Sequence, residues 1–72
     1  MPGRQAMHRV TVNLSPKASD AMERTAARLG LTWTDVINRA LQAYAILEEE
    51  RAAGADVLLR AADGEVTKLL LL

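Results

Sequence analysis

His8-Arg9-Val10-Thr11-Val12-Asn13-Leu14-Ser15 decides how the chain folds. Val10, Val12 and Leu14 fall on one side and Arg9, Thr11 and Asn13 on the other. Strict period-two alternation with β-branched residues predicts a strand buried on one face only. The polar face carries a guanidinium, a hydroxyl and a carboxamide, groups suited to nucleic-acid base edges. On this stretch alone, an ordinary half-exposed strand with an incidental polar face is the commoner arrangement. The choice between the two rests on the rest of the chain.

Size and composition constrain that choice. The 72 residues make one domain at most, with no Phe, one Trp and one Tyr, so any core consists of Val, Leu, Ile, Ala and Met. A chain this short is marginal without a disulfide, a metal or a partner. The absence of cysteine removes disulfides and thiolate metal sites, and a single histidine cannot build a metal cage. Oligomerisation is the remaining stabiliser, and a homodimer is expected. No metal and no cofactor are expected. No signal-peptide pattern follows Met-Pro-Gly-Arg and no segment is long enough to span a bilayer, so a cytoplasmic protein is expected.

The net charge is zero, which argues against a generic polybasic nucleic-acid binder, but the charges are segregated. Residues 1–39 carry six basic against three acidic side chains, and residues 40–72 carry three against six. A basic front and an acidic back suit a protein that meets a polyanion with one surface, although solvated helix charge gives the same pattern.

Residues 1–7, with Pro2 and Gly3, read as a flexible arm carrying Arg4. Ser15-Pro16 opens a helix, Ser15 as N-cap and Pro16 in the first turn. Ala18, Met22, Thr25, Ala26 and Leu29 form its small-residue face, and Gly30 ends it. Thr32 with Asp35 three residues later resembles a capping box for a second helix from about Trp33 to Ala53, stopped by Gly54. Val36, Ile37, Ala40, Leu41, Tyr44 and Leu47 are its apolar stripe. Glu48, Glu49 and Glu50 lie at the negative pole of that helix, where cations are preferred. Residues 54–72 read as a β-hairpin turning on Asp63-Gly64. A two-residue loop opposes Arg60 to Thr67 and Leu59 to Lys68, between flanks 56–62 and 65–72. Leu69 to Leu72 then require a cover.

A lone strand cannot satisfy its own backbone groups. It pairs either with the hairpin, as a small α+β monomer, or antiparallel with its own copy, as a two-stranded ribbon over four helices. The second arrangement explains more: it places Arg9, Thr11 and Asn13 of both copies side by side, while Val10, Val12 and Leu14 cap the helices.

In the ordered combination of Arg9 to Ser15, a helix ending at Leu29-Gly30-Leu31, Thr32-Trp33-Thr34, and Val36-Ile37 with Ala40-Leu41 and Tyr44, the chain resembles the ribbon-helix-helix family of bacterial DNA-binding proteins. The resemblance covers somewhat over half the chain, from Arg9 to about Leu47, and reaches neither the arm nor the hairpin. It implies a mainly α fold with one short strand: a homodimer with an antiparallel intermolecular ribbon over four helices, here with a C-terminal β-hairpin extension. The domain would occupy residues 8–53. The resemblance also implies that Arg9, Thr11 and Asn13 touch bases of double-stranded DNA in the major groove. It implies further that Thr32, Trp33 and Thr34 hold a phosphate at the start of the second helix. Arg4 and Lys17 are accessory candidates. Val10, Val12, Leu14, Val36, Ile37, Ala40, Leu41 and Tyr44 would form the dimer core. Trp33 departs from the pattern, since many relatives carry a basic or small polar residue there; partial packing at the helix entrance, on the side of Val36, Ile37 and Tyr44, is its expected role, with its backbone amide still available.

The function implied is a transcriptional regulator, most often a repressor, acting as a dimer or a higher oligomer on DNA. Two alternatives stay open. One is the antitoxin of a toxin–antitoxin pair, with the C-terminal segment binding the toxin. The other is a protein-interaction module without DNA binding, its hairpin supplying an open edge to a protein partner. An enzyme is not expected, because one His, no Cys and no clustered carboxylates leave no acid–base pair or activated nucleophile.

Overall fold

Two local caps set the helical part of the chain. In the computed structural model, which describes residues 7–70, Ser15 is extended (φ −65°, ψ 160°) and its hydroxyl accepts from Ala18 N at 3.1 Å. Helix α1 therefore starts at Pro16 and spans Pro16–Leu29. Gly30 ends it at φ 68°, a left-handed conformation that costs a residue with Cβ about 1–2 kcal/mol. Leu31 then donates its N–H back to Ala26 O at 3.0 Å, closing the helix end. Thr32 repeats the N-terminal device: its hydroxyl accepts from Asp35 N at 3.0 Å and opens α2, Trp33–Ala52. Ala53 caps α2 and Gly54 follows, as expected from the sequence to within one residue.

The two helices pack through a small apolar contact. Met22, Ala26 and Val36 are buried, with Leu31 and Ile37 packed against them. Most of the rest of both predicted stripes is uncovered. Ala18, Thr25, Leu29 and Ala40 are exposed, Leu41 and Tyr44 are 63% and 47% exposed, and Leu47 is half-buried. Helical periodicity locates an apolar face but says nothing of whether the same chain covers it.

The glutamates at the end of α2 are partly compensated. Arg51 Nε donates to Glu48 Oε1 at 3.0 Å, and this bond, with the nearby guanidinium charge, holds the Glu48 carboxyl below the ordinary carboxylate range. A cation in the last turn also suits the helix dipole.

Strands β1 (Val57–Arg60) and β2 (Val66–Leu69) form an antiparallel hairpin, and β1 contacts α2. Its register differs from the expected one by one residue: Leu58 opposes Lys68, Leu59 opposes Thr67 and Arg60 opposes Val66. The loop has three residues rather than two. Ala61 N donates to Glu65 O at 2.7 Å, and Gly64 N donates to Ala61 O at 2.9 Å. A two-residue Asp-Gly turn would need positive φ at Asp63, but among the described residues only glycines have positive φ. Asp63 instead accepts from Glu65 N through its carboxylate at 2.9 Å, while Gly64, at φ 95°, takes the left-handed position. The slip matters because it sends every side chain of one strand to the opposite face relative to its partner. Leu71 and Leu72 lie outside the described residues, as do Arg4 and most of the arm.

The chain is thus a small, mainly helical α+β unit with two helices and one two-stranded sheet. Among the described residues no helix is long and apolar enough to cross a membrane.

Candidate nucleic-acid interface

The alternating stretch lies outside that sheet. Residues 7–15 form neither helix nor strand within the chain, and neither edge of the hairpin accepts them. The strand expected at residues 8–15 is therefore absent from the single chain. The physical reason is that a strand is defined by its ladder, and this chain offers the segment no second strand. Arg9, Thr11 and Asn13 are exposed, but so are the apolar residues between them: Val10 is 76%, Val12 59% and Leu14 41% exposed.

These apolar residues are not isolated. Leu14 lines an open groove of about 540 Å³ together with Ala18, Met22, Leu29, Ala40 and Leu41. The apolar side of the stretch thus runs into the uncovered faces of both helices. Sequence periodicity located both features separately; their continuity depends on the angle at which Ser15 joins the stretch to α1.

At the start of α2 the groups expected to hold phosphate are partly committed. Asp35 N–H donates to the Thr32 hydroxyl and Val36 N donates to Thr32 O at 3.1 Å. The Thr32 O–H can still donate, and the Trp33 and Thr34 amides occupy first-turn positions that no helical carbonyl serves. The Thr34 carbonyl accepts from Asn38 Nδ2 at 2.8 Å. The Asp35 carboxylate stands in the same turn and opposes an incoming anion, a feature that sequence reading credited only as a cap. Trp33 is 56% exposed, so at most part of its surface is covered within the chain.

The basic side chains also sort themselves. Arg24 Nε pairs with Asp20 at 2.9 Å, Arg51 pairs with Glu48, and Lys68 pairs with Asp56 at 3.2 Å. Among the described residues Arg9, Lys17, Arg28, Arg39 and Arg60 make no ion pair, so four of the five arginine and lysine side chains left over lie in the front half of the chain, within residues 1–39. Among the described residues no cluster of three or more His, Asp or Glu side chains could hold a metal.

No family model, curated protein or solved structure matches this chain.

Proposed function

We propose that the chain is a sequence-specific DNA-binding protein that acts as a homodimer and regulates transcription, in the commonest case as a repressor. Residues 8–15 of two copies pair antiparallel into a ribbon. Val10, Val12 and Leu14 close the groove between the helices, and Arg9, Thr11 and Asn13 of both copies face the major groove. Arg offers two parallel donors to guanine, Asn offers a donor and an acceptor to adenine, and Thr meets a thymine methyl or donates its hydroxyl. The first-turn amides of α2 and the Thr32 hydroxyl lie against a backbone phosphate, which fixes the register of the ribbon on the duplex.

The observation that carries this reading is the continuity of Leu14 with the exposed apolar residues of α1 and α2 in one groove. A chain that buries only Met22, Ala26 and Val36 has little core of its own, and a second copy supplies a matching apolar face. Support also comes from the excess of unpaired cations in the front half. Light scattering at micromolar concentration, read beside anisotropy titration with labelled duplex DNA, tests it. A species of at least two chains that binds duplex DNA is expected. A monomer, or a multimer indifferent to DNA, would overturn the proposal.

A further inference from the structure

The hairpin carries a second self-complementary surface that makes no use of the ribbon. Because Ala61 donates to Glu65 O, the residues of β1 alternate from there: Leu59 and Val57 turn their backbone groups towards β2, opposite Thr67 and Leu69. Asp56, Leu58 and Arg60 consequently turn their N–H and C=O groups outward, along an edge with no neighbour in this two-stranded sheet. Leu58 is 56% exposed beside it.

We propose that this edge pairs antiparallel with β1 of a second copy, in the register centred on Leu58. Among two-fold registers that match outward-turned residues, this one engages all of them: Leu58 opposes Leu58 of the copy and Asp56 opposes Arg60 in both directions. Each of the three pairs exchanges two backbone bonds. Opposite charges directly across an antiparallel pair are stabilising, so backbone and side-chain complementarity select one register. Asp56 is held ready for it. Its Oδ1 lies 3.2 Å from Lys68 Nζ, which leaves Oδ2 for the incoming guanidinium.

The other edge of the hairpin is closed to the same move. Along β2 the outward-turned residues are Val66 and Lys68, with Leu70 next in the alternation, and the two-fold register that engages all three sets Lys68 against Lys68 of the copy. Like charges in that position are unfavourable, and lysine is a common guard of sheet edges. The product is a four-stranded sheet in the order β2-β1-β1-β2, which links one dimer to the next if the ribbon also forms.

Cysteine cross-linking of the full chain tests this directly, because the native sequence has no cysteine. Directly opposed residues across a strand pair lie within disulfide reach. Leu58→Cys is expected to form a covalent dimer under mild oxidation at least about tenfold faster than Lys68→Cys, a stringent comparison because Lys68→Cys removes the guarding charge. Adding Asp56→Arg to Leu58→Cys should slow it by about tenfold, the equivalent of roughly 1.4 kcal/mol. Adding Arg60→Asp as well should restore it; that double exchange leaves the Lys68 pairing broken, so recovery reads only the contact between copies. Equal rates for Leu58→Cys and Lys68→Cys, or no response to the charge exchange, would overturn the proposal. The ribbon could fail without changing any of these outcomes, since residues 8–15 take no part in them.

Discussion

Ser15 Oγ accepts from Ala18 N at 3.1 Å, and this bond joins the alternating stretch to α1. One residue closes the stretch and opens the helix, so the cap sets the angle that brings Leu14 into the groove beside Ala18 and Met22. Ser15→Ala is expected to lower stability by about 1 kcal/mol, the usual cost of losing a hydroxyl N-cap. Urea unfolding followed by circular dichroism measures it. Because the cap also aims the stretch, DNA affinity should fall more than the stability loss alone explains.

Gly30 offers a purely conformational test. A Cβ placed there would meet nothing within 4 Å, so Gly30→Ala meets no steric obstacle and its cost comes from φ 68° alone. A loss of about 1–2 kcal/mol is expected, measured by the same urea titration. Gly30→Asn should lose less, since Asn tolerates the left-handed region better.

Met22 is 8% exposed and is the largest of the three buried side chains, Met22, Ala26 and Val36, between α1 and α2. Met22→Ala should cost about 2–3 kcal/mol, at the lower end for buried Met truncations because the groove beside it is open. If a second copy closes that groove, the urea midpoint of the native chain also rises with protein concentration. A concentration-independent midpoint would favour a self-sufficient monomer.

Much of this arrangement is legible in the sequence where the cause is local. Ser15-Pro16, Gly30 and Thr32 act through bonds to residues within a few positions, and the helices begin and end where those residues dictate. The hairpin was legible as a hairpin, but its register was not. Asp63-Gly64 suits both a two-residue turn and the end of a three-residue loop, and the choice fell to the negative φ of Asp63 and its carboxylate bond to Glu65 N. Coverage is the least legible property. Leu41 and Tyr44 repeat at helical spacing as a core residue would, yet their own chain leaves both exposed. The polar positions Arg9, Thr11 and Asn13 follow from alternation, whereas their assembly into one surface needs a second strand that no sequence pattern supplies.

Lys17 and Arg9 should separate attraction from reading. Lys17 is exposed at the start of α1 and makes no ion pair among the described residues. Lys17→Ala should weaken binding to selected and random duplexes alike and reduce the slope of log affinity against log salt by about 1. Arg9→Ala should instead cost about 1–3 kcal/mol on the selected sequence and relax the preference at one base position. Anisotropy titrations over a salt series distinguish the two patterns.

Reading of DNA by two copies of residues 8–15 together requires Arg9, Thr11 and Asn13 of both. Selection of bound sequences from random duplex DNA, run in parallel for the native chain and for the Arg9→Ala, Thr11→Ala, Asn13→Ala triple variant, tests it most directly. A short inverted repeat enriched by the native chain and lost by the variant is expected. No enrichment by the native chain, or the same motif recovered by the variant, would contradict it.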